Sequence, residues 1–119
     1  MAASPAAAVP ARSRRVASLA VPGDAPGESE GHRAVTRLLE DGSYRAALLA
    51  KLLEEAGEAS EASAEALPGE LADVLEVVQA LAKAHGLAWE QILKLAAEKH
   101  TRRGGFDRRI FLEYVEQAG

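Results

Sequence analysis

The chain reads as an all-α protein: a helical hairpin plus a third helix, with a four-helix-bundle core completed by oligomerisation. Three observations carry that reading. Apolar residues recur at helical spacing along three successive stretches, beginning with Leu48, Leu52 and Ala59 on one stripe. Helix punctuation separates the stretches: Pro68 suits a first helical turn, while Gly86 and Gly104-Gly105 suit helix ends. Aromatic residues make up only 4% of the 119 residues, so Leu and Val must build most of the core. Three such helices bury little area, and small domains are marginal for that reason. Leu- and Val-rich faces on both sides therefore call for a second copy, and a homodimer or tetramer is expected.

Taken in order, residues 1–30 differ from the rest. They are rich in Ala, Pro, Ser and Gly and hold Pro5, Pro10, Pro22 and Pro26, which leave little room for a helix. The first acid is Asp24, so Arg12, Arg14 and Arg15 stand unopposed. A disordered or loosely packed tail is expected, ahead of a helical domain over 31–119. An acid-poor start with Arg and Ser is also the composition of an organellar transit peptide. The plainer reading, a floppy extension on a cytoplasmic protein, is preferred. Residues 33–40 fit either an extended segment or a helical turn. Asp41-Gly42-Ser43 then reads as a helix start, with Asp41 or Ser43 as the N-cap.

The first helix is expected over 43–62, with Leu48, Leu52, Glu55 and Ala59 in one line. Ser63 to Leu67 is the connection. The second helix is expected over 68–85. Leu71, Val74, Leu75, Val78, Leu81 and Ala82 form its broad apolar face, and Glu70, Asp73 and Val77 run along the edge. The third is expected over 88–103, with Trp89, Ile92, Leu93, Leu95 and Ala96 buried. A last short amphipathic helix is expected over 110–115.

The chemistry lies in two acidic pairs: Glu55 with Glu58, and Glu70 with Asp73. Residues three apart share a helix face, so each pair points two carboxylates one way. Antiparallel packing of the two helices lets all four converge. Such a cluster repels itself unless protons or cations neutralise it. Oxygen-only ligands suit a hard cation, Mg²⁺ or Mn²⁺. The competing interpretation is a solvated acidic face. Glu55 argues against it, because it sits within the apolar stripe. Other classes drop out. There is no cysteine, which removes disulfides, thiolate zinc and Cys nucleophiles and fits a reducing compartment. A net charge of -4 argues against binding a nucleic-acid polymer. No apolar run approaches the roughly 18 residues a membrane span needs.

Three strings then match a known family. They are Ala-Lys-Leu-Leu-Glu-Glu-Ala-Gly-Glu-Ala at 50–59, Glu-Leu-Ala-Asp-Val-Leu-Glu-Val-Val at 70–78, and Lys99-His100-Thr101-Arg102-Arg103-Gly104-Gly105-Phe106. Glu-Glu-x-x-Glu followed by Glu-x-x-Asp resembles the signature of the MazG-like all-α nucleoside triphosphate pyrophosphohydrolases. The stretch from Leu48 to Phe106 looks most like their phosphoribosyl-ATP pyrophosphohydrolase-like branch. The resemblance implies hydrolysis of a nucleoside triphosphate, or a related nucleotide, to monophosphate and pyrophosphate, as in house-cleaning enzymes. It implies paired helices that dimerise into a four-helix core. Carried over by position, Glu55, Glu58, Glu70 and Asp73 hold Mg²⁺, with Mn²⁺ as a substitute, and Glu54 is an auxiliary acid. Glu54 or Glu58 would also orient the attacking water. Lys99 and Arg103 would lie near the substrate phosphates, although cations near a helix C-terminus are favoured by the dipole anyway. Four carboxylates exceed the one or two that Mg²⁺ usually takes from protein. The surplus suggests two ions, or one ion with a carboxylate base.

The chain departs from that branch at its start. Members usually open with a Lys-Leu-Val-Arg-Asp-Lys-Ile-Pro-like segment, and residues 12–21 are no clear counterpart. That gap favours the alternative: a catalytically inactive helical dimerisation or regulatory module that keeps the acidic motif.

Overall fold

The computed structural model describes residues 17–24 and 33–118. They contain three α-helices, α1 (Asp41–Glu61), α2 (Leu67–Ala84) and α3 (Trp89–Arg103), with a 3-10 turn at Pro22–Asp24 and no strand. The all-α expectation holds, and every helix boundary lies within two residues of its expected place. The tail expected over 1–30 falls mostly outside the described residues. Residues 33–40 have no regular structure, which settles the choice left open there.

Helix α1 begins without the expected cap. Its N-cap is Glu40, in extended geometry and with no side-chain bond to the helix. Asp41 and Ser43 instead lie inside the first turn, where the Asp41 charge still meets the helix dipole favourably. A run of Ala, Leu, Lys and Glu, all strong helix formers, carries the helix on. A short connection, Ala62 to Ala66, turns the chain back. Ser63 organises it: its hydroxyl accepts the Ala66 N–H at 3.2 Å and its carbonyl accepts the Leu67 N–H at 2.9 Å. Pro68 falls in the first turn of α2, where a missing N–H is harmless.

The end of α2 is closed by a Schellman arrangement. Leu87 N–H donates to the Ala82 carbonyl at 2.8 Å and Gly86 N–H to that of Lys83 at 3.0 Å, with Gly86 at φ 70°. That matches the role expected for Gly86. At the start of α3 the Gln91 side chain accepts the Ala88 N–H at 2.8 Å, which is half of a capping box, since Ala88 has no side-chain acceptor to return it. Gly104, at φ 84°, ends α3.

Two expectations need correction. Residues 110–115 form no helix; they run without regular structure and are exposed throughout. A turn over Phe106 to Arg109, with Arg109 at φ 61°, precedes them. Six residues with β-branched and aromatic side chains are too short to hold a helix unaided, and none of the described residues covers them. The α3 core is the second correction. Trp89 and Ile92 are half-buried, but Leu93, Leu95 and Ala96 are exposed.

The fold is a hairpin of α1 and α2, which pack along their length, with α3 touching α2 far less. Its buried apolar residues are Leu48, Val77 and Ala82. The apolar face of α2 is not centred on α1. The Glu70, Asp73 and Val77 edge meets α1, and Leu71 and Leu75 are left half-exposed at 53% and 49%. On α1, Leu49 and Leu53 are likewise uncovered. With about 100° per residue, these leucines lie on the same side of the hairpin. The other side carries Lys51, Glu54 and Glu58.

Candidate metal centre

The hairpin interface buries one charged side chain, Glu55, at 7% exposure. Its place in the Leu48 stripe of α1 forces it inward, as its spacing requires. Across from it α2 presents Glu70 and Asp73. One carboxylate oxygen from each of Glu55, Glu70 and Asp73 lies within 4.8 Å of the others. A second triad, Glu54, Glu55 and Glu58, meets the same limit along α1. Glu55 belongs to both and joins them into one anionic site. Glu58 and Asp73 are exposed at its mouth, and Glu54 and Glu70 are half-buried.

A single cation answers these charges. Lys51 Nζ lies 2.9 Å from Glu54 Oε2 and 3.4 Å from Glu55 Oε1. No other ion pair is present among the described residues. The second oxygen of Glu55 and Oε2 of Glu70 are buried and have no hydrogen-bond partner among the described residues. A buried charged oxygen without a partner is costly. Burial pushes the Glu55 carboxyl above its ordinary value, and the charges of Glu58 and Asp73 add to the effect while Lys51 opposes it. Burial alone would lower the Lys51 ammonium. Its contacts with Glu54 and then Glu55 outweigh that and leave it above its ordinary value.

The donor set fits a hard divalent ion. All the ligand atoms are carboxylate oxygens, and two of them lack any other partner. Ligand oxygens on one Mg²⁺ lie about 4.2 Å or less apart, given bonds of roughly 2.1 Å. Triads spanning up to 4.8 Å need only a small contraction to reach that. Beside the site, a cleft of about 450 Å³ opens between Ala17–Leu19 and the face of α1 that carries Ala47, Lys51, Glu54 and Glu58.

The structure thus brings Glu54, Glu55, Glu58, Glu70 and Asp73 together. It does not bring Lys99 and Arg103 to them within one chain. Both are exposed on the last turns of α3 and make no ion pair among the described residues. Lys51 was missed by the sequence reading. The available signal was its spacing, three and four residues before Glu54 and Glu55, which puts an ammonium beside both.

A helical hairpin whose two helices pool their carboxylates defines a class of all-α proteins with an acidic cluster that could hold a divalent ion. Within that class, the family model described as the MazG nucleotide pyrophosphohydrolase domain matches residues 44–105, and the chain belongs to that family. The match runs from the first turn of α1 to the glycines after α3, so it takes in the whole hairpin and its acids. Comparisons with curated proteins and with solved structures find no match.

Proposed function

We propose that the protein hydrolyses a nucleoside triphosphate, or a related nucleotide, to the monophosphate and pyrophosphate. The observation that carries this is the buried, half-unpaired Glu55 carboxylate shared by two acidic triads in a MazG-family hairpin. Glu55, Glu58, Glu70 and Asp73 are the residues that would hold Mg²⁺ or Mn²⁺. Bound there, the ion supplies charge shielding for the phosphates and acidifies a coordinated water. The chain's own residues do the rest. Water oxygen bonds to the α-phosphorus while the bond to the bridging oxygen breaks, and pyrophosphate departs. Glu54, held by Lys51 beside the cleft, would orient that water and take its proton. Glu58, on the same cleft wall, can share that role.

The site works in an assembly. The exposed leucines of α1 and α2 and the bare face of α3 fit a second copy, and packing them together would complete a four-helix core. Lys99 and Arg103, exposed and without an ion pair among the described residues, are the residues to contact substrate phosphates in that assembly. Pyrophosphate release across a panel of nucleoside triphosphates, with Mg²⁺ or Mn²⁺, tests the reading. Activity is expected in at least one case, and EDTA, Glu55→Gln or Asp73→Asn should abolish it. Folded, oligomeric protein that binds metal yet releases nothing would point to the inactive dimerisation module.

A further inference from the structure

Lys51 lies outside the acidic motif, and among the described residues it is the only cation paired with the acidic site. Its side chain is 18% exposed and that of Glu55 only 9%, so the contact is not an ordinary solvated helix pair. A pair of that ordinary kind adds a few tenths of a kcal/mol and touches nothing else. Here the same ammonium contacts two of the five clustered carboxylates, and one of the two is the residue common to both triads. It also stands on the cleft wall. Among the described residues, five carboxyl groups and one ammonium leave the site short of positive charge. A divalent ion taking Glu55 must share that carboxylate with Lys51 or displace it, and two cations so close repel each other.

We infer that Lys51 is an internal counter-cation that holds Glu54 and Glu55 together in the metal-free protein and competes with the divalent ion for them. It is a positioning residue that sets the ion concentration at which the site fills. The inference rests on the metal reading above. It goes further by assigning a role to a residue outside the acidic motif.

The test is direct Mn²⁺ binding, by calorimetry, to full-length wild type, Lys51→Met, Lys51→Arg and Glu55→Gln. Lys51→Met keeps most of the stem and removes the charge. It should bind Mn²⁺ about five- to tenfold more tightly than wild type, the size expected when a nearby charge is removed from a partly exposed site. Lys51→Arg keeps the charge and should bind much as wild type does. Without metal, Lys51→Met should melt below wild type, and added Mn²⁺ should raise its melting temperature by more. Unchanged or weaker Mn²⁺ binding by Lys51→Met, with wild type binding normally and Glu55→Gln not, overturns the inference alone. If wild type itself binds no Mn²⁺, the metal reading and the inference fall together. Lys51→Gln carries the same comparison if the methionine variant does not fold.

Discussion

Glu55 concentrates the conflict between stability and chemistry in this protein. It lies on the buried stripe of α1, one oxygen meets Lys51, and the other meets nothing. Because burial raises its carboxyl above the ordinary value of 4.5, the folded chain holds that proton more tightly than the unfolded chain. Stability from this group is therefore lost as pH rises from about 4.5 through the folded value, since the native state binds the extra proton. In EDTA, the melting temperature of wild type relative to Glu55→Gln should fall as pH is raised from 4 towards 7. A bound metal ion would reverse the balance at neutral pH. Saturating Mg²⁺ at about 100 times its dissociation constant should stabilise wild type by roughly 2.7 kcal/mol, by mass action. Glu55→Gln should gain almost nothing in the same thermal scan. The inward placement of Glu55 was legible because a helix fixes direction every residue. Lys51 was harder to see, because a lysine before two glutamates is common on any helix surface.

At the scale of the elements, the helices were legible because their stops are local chemistry. Gly86 reads as a terminator in the sequence and serves as one, supplying a left-handed residue that lets Leu87 and Gly86 satisfy α2 carbonyls. Gly86→Ala should lower stability by about 1–2 kcal/mol in chemical denaturation, the usual cost of that conformation for a residue with a Cβ. The N-terminus of α1 was misread because two good capping residues follow the residue that takes the position. The last segment was misread for a different reason. Helical spacing in Ile110 to Val115 describes what the side chains could do on a helix, but so short a helix needs a surface to pack on. Which edge of α2 meets α1 followed from the acidic pair Glu70 and Asp73 and not from the apolar pattern. Apolar periodicity marks the width of a face but not which part of it the neighbouring helix takes.

For the molecule as a whole, apolar surface is left over. Leu53 is 76% exposed, Leu38 99% and Phe106 96%, while among the described residues only Leu48, Val77 and Ala82 are buried and apolar. Monomeric proteins rarely leave such patches bare. Sedimentation at micromolar concentration should therefore find a dimer or tetramer. Leu53→Asp combined with Leu75→Asp should shift it towards monomer without touching the acidic side of the hairpin. The side chains that carry charge and those that seek cover sit on opposite flanks of the same two helices. Substitutions on the leucine flank can thus be made without touching the acids. If copies pair through that flank, dilution threatens the folded state as heat does, and the melting temperature should climb with protein concentration.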